Sequence, residues 1–392
     1  MKKSLLIAID SLDCAGAEKS LVTLLTLLDY NKYSVDLMLF AHGSLLEELV
    51  PKEVNILPPL KYTQFLNSGL KKVMVTMNYR MLAARIKYSA NIRRKKYSNS
   101  QKARIYWESV SSVIEENPKN YDIAISYAQG VPTFYVAEKV KAKRKFAWVN
   151  VSYRLEKKDK VFQKKYYDKY NKIVAVSEST KEVFLETFPN YSKKVKVIYD
   201  INNPDFILKM ADLGSAYEDQ FDGIRILTIG RLARQKGYDV ALEACKKLKA
   251  AGLNFKWYVL GKGPLKEEIE KYIKENDLQE NFILLGVRPN PYPFIKGADI
   301  YVQTSKFEGF GLAIAEARML NIPVVTTRFD AVYNQMIDGK NGLVVDMNAS
   351  AVSDGIMKLI NENELRESII KYLSTEKKGN VEEVEKFYQL IG

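Results

Sequence analysis

Histidine occurs once in this chain of 392 residues, as His42, and cysteine twice, as Cys14 and Cys245. A single histidine excludes a histidine-dependent catalytic triad and any multi-histidine metal site. Two cysteines so far apart exclude a disulfide framework and a structural zinc site, and both read as small buried hydrophobes. Long apolar runs are also missing: no stretch approaches the ~18 residues of a spanning helix. Met1-Lys2-Lys3 resembles the start of a secretion signal, but the apolar run behind it stops at Asp10, short of the ~7–15 residues required. These absences predict a cytoplasmic protein that does not cross a membrane.

Acidic residues are absent from one long stretch. Between Lys61 and Arg104 the chain carries twelve basic residues, Arg93-Arg94-Lys95-Lys96 among them, and no acidic one. The net charge of +13 belongs to the first half: residues 1–200 hold 35 Lys+Arg against 20 Asp+Glu, residues 201–392 hold 25 against 27. Such a block calls for an anionic partner, a phosphate-rich lipid surface or a nucleic acid. No nucleic-acid-reading motif accompanies it, so nucleic acid is set aside. From Leu70, the residues Val73, Met74, Met77, Met81, Ala84 and Tyr88 form one stripe at helical spacing, bordered by Lys71, Lys72, Arg80, Arg85 and Lys87. The stripe either packs on a core or rests on an anionic bilayer, and the two readings are compatible.

The composition, 47% hydrophobic and 27% charged, supplies more than one core. Single cores rarely grow past about 250–300 residues, which predicts two domains. In the first half, strands are predicted at Leu5–Ile9, Val35–Phe40, Val54–Leu57, Ile123–Tyr127, Phe146–Val151, Ile173–Val176 and Val195–Tyr199. In the second they fall at Ile224–Ile229, Phe255–Leu260, Phe282–Leu285, Asp299–Gln303, Pro323–Thr326 and Gly342–Val345, with helical patterns between. Short apolar strands alternating with helices indicate parallel sheets covered on both faces. The expected plan is α/β: a domain over 1–203, a connector over 204–223, a second domain over 224–375, and a terminal segment, 376–392, returning to the first. Two doubly wound domains are expected to face a central cleft, with ligand beyond the carboxyl ends of the strands.

Those ends carry the candidate chemistry of the second half. Gly230-Arg231-Leu232 follows one strand, with Lys236-Gly237 before the next helix; Gly261-Lys262-Gly263-Pro264 and Gly286 follow two others. Glu308-Gly309-Phe310-Gly311 follows the strand ending near Gln303, and Glu316 lies in the helix behind it. Two cations, several glycines and a helix N-terminus on one sheet edge suit a diphosphate. If the segment between Glu308 and Glu316 were helical, their Cα atoms would stand about 12 Å apart. A retaining hydrolase needs its carboxyls about 5–5.5 Å apart. The two glutamates therefore suit opposite ends of a long ligand, such as a sugar joined to a ribose through a diphosphate.

Glu308 through Glu316 resembles the E-x7-E motif of retaining GT-B glycosyltransferases, and Gly230-Arg231-Leu232 with Lys236-Gly237 is similar to the G-R-L…K-G segment of glycosyltransferase family 4. The likeness runs on through Gly286 with Asn290-Pro291-Tyr292, Ala298-Asp299-Ile300, Pro323-Val324-Val325 and Asn341-Gly342-Leu343, covering nearly all of 224–360. In the first half it rests on Gly16-Ala17-Glu18 and Val176-Ser177-Glu178-Ser179. The resemblance is to bacterial surface-polysaccharide members. It implies a GT-B fold and transfer of a hexose from a nucleotide diphosphate sugar, expected to be a UDP-sugar, with retention of configuration. The acceptor it implies is a glycan or polyprenyl-linked glycan.

By the same resemblance, Arg231 and Lys236 neutralise the donor diphosphate, Glu308 holds hydroxyls of the transferred sugar, and Glu316 accepts from the ribose. Gly16, Gly230, Gly261 and the backbone at Gly309, Phe310, Gly311 and Leu312 approach the phosphates, and Val287 and Arg288 border the base. The family's G-G-x-E turn is Ala15-Gly16-Ala17-Glu18 here, one glycine short. Where relatives of this pattern carry a glutamate and a histidine, this chain has Gln129 and Asn150, acceptor-side candidates that can hydrogen-bond a sugar but cannot act as general bases. No Asp-x-Asp triplet occurs, so no metal and no other cofactor are expected, and Arg231 and Lys236 would do a metal's work. Peripheral attachment to the inner face of the cell membrane is expected through Lys61–Arg104. Two alternatives stay open: a nucleotide-sugar epimerase or glycan phosphorylase on the same fold, and a non-catalytic nucleotide-sugar-binding protein.

Overall fold

Two sheets organise the computed structural model, which describes residues 2–13, 16–67, 78–93, 97–150, 155–308, 311–329 and 332–392. The first unit, Met1–Ile201 with Val381–Gly392, is built on seven strands among the described residues. In chain order these are β1 (Lys3–Ile9), β2 (Tyr33–Leu39), β3 (Asn55–Ile56), β4 (Asn120–Ser126), β5 (Lys141–Val149), β6 (Lys172–Ala175) and β7 (Val195–Val197). They pair in the order β3-β2-β1-β4-β5-β6-β7, all parallel. From Leu5 onward β1 is buried on both faces, which is why it reads as an unbroken apolar run rather than an alternation.

The second unit, Asn202–Asn380, holds β8 (Ile224–Ile229), β9 (Phe255–Leu260), β10 (Phe282–Gly286), β11 (Ile300–Gln303), β12 (Val324–Thr327) and β13 (Leu343–Val345). Their order, β10-β9-β8-β11-β12-β13, repeats the first plan without its last strand. Each sheet reverses direction once, between β1 and β4 and between β8 and β11. A doubly wound sheet opens a ligand crevice at such a reversal, beyond the carboxyl ends of the strands.

Residues 204–223, read from the sequence as a connector, lie inside the second unit. Pro204–Ala211 is a helix, capped by the Asn203 side chain, which accepts from the amides of Asp205 (3.0 Å) and Phe206 (3.4 Å). Its apolar residues Ile207, Met210 and Ala211 are buried, a helical signal too short to stand out in sequence. The return to the first unit comes after Asn380 rather than at 376. The Glu383–Ile391 helix then packs Phe387 on Trp148 and stacks Tyr388 on Tyr33, each at 6.0 Å between centroids. Arg144 on β5 donates to the carbonyl oxygens of Ile391 (2.6 Å) and Gly392 (2.9 Å). That contact explains why β5 starts in the polar run Lys141–Lys145, where the sequence shows no strand.

The first core is aromatic. Phe134 packs on Phe162 and Tyr166 at 5.1 and 4.6 Å, and Tyr167 meets Phe184 and Phe188 at 5.2 and 5.5 Å. Cys245 is buried in the second core, where burial pushes its thiol up to about 12; Cys14 lies outside the described residues.

The basic stretch divides. Val73, Met74 and Met77 of the predicted stripe, and Arg94, Lys95 and Lys96, lie outside the described residues. In the Tyr79–Ile92 helix, Ala84 is buried, Met81 packs on the core, and Tyr88 meets Tyr106 edge-on at 5.3 Å. The described part of the stripe therefore faces inward and is not itself a lipid-contacting surface. Arg104 also turns inward, its guanidinium donating to Asp159 at 2.7 Å and Glu108 at 3.0 Å.

Candidate functional site

At the reversal of the second sheet, the loop after β8 and the loop after β11 are bonded to each other. Thr304 Oγ1 donates to the Lys236 carbonyl (2.9 Å), the Lys306 amide to the Gln235 carbonyl (2.8 Å), and Gln235 Nε2 to the Phe307 carbonyl (3.0 Å). Gly237 makes this approach possible: at φ +64°, a Cβ there would stand 1.9 Å from the Thr304 carbonyl oxygen. A Cβ on Gly261 would stand 2.0 Å from the Gly230 carbonyl oxygen. Both glycines serve close packing of the protein's own backbone.

The zipped loops bring Lys236 and Glu308 together. The Lys236 ammonium donates to Glu308 Oε1, and the two side chains are 19% and 10% exposed. Ser305 Oγ donates to the same oxygen (2.6 Å), Gln303 Nε2 to Ser305 Oγ (2.7 Å), and the Tyr301 hydroxyl to Gln303 Oε1 (2.6 Å). This chain of donors fixes the carboxylate from below. Burial, with the nearby charges of Glu308 and Glu316, drives the Tyr301 hydroxyl well above its ordinary value. Tyr301 therefore stays neutral and remains a donor within reach of both carboxylates' fields.

Glu316 sits in the Leu312–Met319 helix, buried, with Oε1 accepting from the Tyr292 hydroxyl at 3.0 Å. Gly311 caps that helix at φ +80°, and its carbonyl accepts from Gln335 Nε2 (3.2 Å). Leu312 is the first helical residue; Gly309 and Phe310 lie outside the described residues. Arg231 is exposed and meets no carboxylate among the described residues. Val287 is exposed, and the exposed Arg288 guanidinium stands 5.8 Å from the centre of the Phe294 ring.

The carboxyl edge of the first sheet collects polar groups from separate strands. Gly16 opens the Gly16–Thr26 helix, which carries Glu18 and Ser20. Ser20 Oγ meets the Tyr127 hydroxyl (3.2 Å) and accepts from the Ile201 amide (3.3 Å). Asn150 Nδ2 donates to the Tyr127 carbonyl (3.0 Å), while its Oδ1 is buried without a partner among the described residues, as is Glu18 Oε2. Burial raises the Glu18 carboxyl to about 7, the Asp13 and Asp200 charges adding to it against an opposing backbone hydrogen bond. Asp200 is raised to about 6 by burial, opposed by a hydrogen bond from Ser20. Gln129 lies elsewhere on this edge, lining a pocket with Val149, Leu155, Gln163, Tyr167 and Phe184.

Several of these residues escaped the sequence reading. Ser305, Gln303 and Tyr301 look like strand and loop residues, and only their position just before Glu308 hints at a role. Asp200 is a lone aspartate past β7 and carries no motif. Tyr292 was within reach, since it ends the Asn290-Pro291-Tyr292 stretch. Among the described residues, no group of three or more His, Cys, Asp or Glu side chains is placed to hold a metal ion.

Residues 218–375 match the glycosyl transferases group 1 family. The match takes in 158 of the chain's 392 residues. The chain is 31% identical over 167 residues to an uncharacterized glycosyltransferase of Methanocaldococcus jannaschii, covering 42% of this chain and 41% of that one. It is 28% identical over 204 residues, 52% and 54% of the two chains, to the N-acetylgalactosamine-N,N'-diacetylbacillosaminyl-diphospho-undecaprenol 4-alpha-N-acetylgalactosaminyltransferase of Campylobacter jejuni. These matches span about half of each relative or less. Over 99% of both chains the structure superposes on Anabaena HepE, solved with UDP and glucose, at a TM-score of 0.68 and 15% identity. The fold is GT-B. Within the matched residues, the reversal between β8 and β11 carries Arg231, Lys236 and Glu308, with Glu316 in the helix that Gly311 caps.

Proposed function

We propose that the chain is a glycosyltransferase of bacterial surface-polysaccharide synthesis, moving a hexose from a UDP-sugar to a glycan or polyprenyl-linked acceptor with retention of configuration. The observation that carries this reading is the Lys236–Glu308 pair at the sheet reversal of the region that matches the group 1 family, with the exposed Arg231 on the same edge. Breaking a sugar–phosphate bond develops negative charge on the departing diphosphate and positive charge on the anomeric carbon. Arg231 and Lys236 stabilise the first, and Glu308, released from Lys236, takes hydroxyls of the sugar. Glu316 accepts from the ribose, beside Tyr292. On this reading no metal or organic cofactor takes part. Gln129 and Asn150 bind the acceptor without removing its proton. The Campylobacter relative's acceptor, by its name a diphospho-undecaprenol, and the UDP and glucose held by HepE support the choice of substrates.

The test is incubation with a panel of UDP-sugars, with and without a polyprenyl-diphosphate glycan, following UDP release and the anomeric configuration of the product. Acceptor-dependent UDP release with a retained anomeric configuration is expected. Conversion of the donor without acceptor would mark an epimerase, a requirement for phosphate a phosphorylase, and UDP binding without turnover a binding protein. Any of the three overturns the proposal.

A further inference from the structure

The inward turn of the predicted stripe leaves the other face of the Tyr79–Ile92 helix to be explained. Tyr79, Leu82 and Ile86 are 70%, 38% and 60% exposed, unusual for side chains of this size on one helix. At about 100° per residue, Tyr79, Leu82, Ala83, Ile86 and Ala90 share one sector, opposite the inward-facing Met81, Ala84 and Tyr88. Arg80 borders that sector on one side and Arg85 on the other, with Arg93 at its C-terminal end; Lys87, beside Arg80, donates its ammonium to the Glu108 carbonyl oxygen at 2.8 Å. The strip is thus apolar along its middle, cationic along its margins, and about 20 Å long for 14 residues.

We infer that this outward face docks the first unit on an anionic lipid bilayer, with Tyr79, Leu82 and Ile86 entering the headgroup boundary and Arg80, Arg85 and Arg93 meeting lipid phosphates. The inference rests on the lipid-linked acceptor proposed above and names the surface that meets it. Charge decides the occupant. A second copy of the same face would set cations against cations, and a nucleic acid would meet the phosphate-seeking margins but leave the apolar middle uncovered. A bilayer rich in anionic lipid satisfies both parts, as it does for helices lying in a membrane interface. Each cation near such a surface is worth about fivefold in affinity, and the attraction fades within a Debye length of about 10 Å at 0.1 M salt.

The experiment is sedimentation of the full chain with vesicles, without donor or acceptor. The parent should bind phosphatidylglycerol vesicles at low salt and ignore phosphatidylcholine vesicles. Arg80→Glu with Arg93→Glu should weaken binding at least about 25-fold, two cations at fivefold each being lost before the reversed charges are counted. Leu82→Ser with Ile86→Ser should weaken it about tenfold, and that loss should persist at higher salt, where electrostatic attraction is screened. Both pairs lie on exposed positions; each variant's melting curve and UDP affinity should match the parent's, which keeps failure of folding or of the donor site distinguishable from failure of docking. Binding by the serine variant equal to the parent's overturns the inference. So does a parent that ignores anionic vesicles, binds RNA instead, or dimerises through Leu82 and Ile86 in sedimentation velocity.

Discussion

Replacing Glu308 with glutamine separates the two duties the site gives Lys236. In the free protein the Lys236 ammonium is engaged by Glu308, with the side chains 19% and 10% exposed. Exposed ion pairs are worth about 0.2–1 kcal/mol, and breaking fully buried ones costs about 3–5 kcal/mol. A pair at this depth lies between them, at about 1.5 kcal/mol. That energy opposes donor binding if Lys236 must leave Glu308 to reach a diphosphate. Glu308→Gln removes most of the opposition, so UDP should bind up to about tenfold more tightly, 1.4 kcal/mol being a factor of ten. The glutamine should keep its place, because Ser305 Oγ, 2.6 Å from the present carboxylate oxygen, can donate equally to an amide oxygen. Sugar transfer should fall in the same variant, since a weaker acceptor faces the sugar hydroxyls. Titration calorimetry with UDP, beside a melting curve, decides the point. A variant that melts like the parent and binds UDP no more tightly refutes the exchange; Lys236 would then stay on Glu308 and leave the diphosphate to Arg231.

Other residues give separate expectations. Arg231→Ala should lower turnover on the order of 10²–10³-fold, as loss of one transition-state donor does, and the parent's turnover should persist in excess EDTA; abolition by EDTA contradicts the two-cation reading. Gly237→Ala should destabilise the second unit by about 3 kcal/mol in urea unfolding, because its Cβ would stand 1.9 Å from the Thr304 carbonyl at a φ of +64°; a loss below 1 kcal/mol on the same order-of-magnitude scale would mean that the loops part easily. Glu18 is raised from 4.5 to about 7, so within that window the folded chain holds a proton that the unfolded chain has released, and stability falls as pH rises through it. Glu18→Gln should therefore gain melting temperature relative to the parent between about pH 5 and pH 8, and parallel curves would count against the burial of this carboxyl.

Most of the strand plan was legible because parallel strands buried on both faces must be short apolar runs, and helices must alternate with them. Leu5–Ile9, Ile224–Ile229 and Phe255–Leu260 carry that signature in their own residues. β5 does not. Its first half is Lys-Ala-Lys-Arg-Lys, and it is a strand because Asp122, Ala137 and the carbonyl oxygens of Ile391 and Gly392 receive its cations. Partners supplied by distant segments leave no periodicity behind. The Pro204–Ala211 helix was missed for a related reason: its three buried residues mean little until the second unit is there to cover them.

The sequence by itself determined the class of the fold, the family likeness of 224–360 and the candidates Arg231, Lys236, Glu308 and Glu316, since strand-end glycines and charges are local and sit in fixed order. It also determined that the cations outnumber the acids only in the first half. Tertiary structure alone decided what each group meets. It joined Lys236 to Glu308 across 72 positions of chain, set Tyr292 on Glu316, turned Arg104 inward to Asp159 and chose which face of the Tyr79–Ile92 helix looks outward. Helical spacing defines two opposite faces equally well; only the arrival of Tyr106 and the aromatic core against one of them selects the other for solvent.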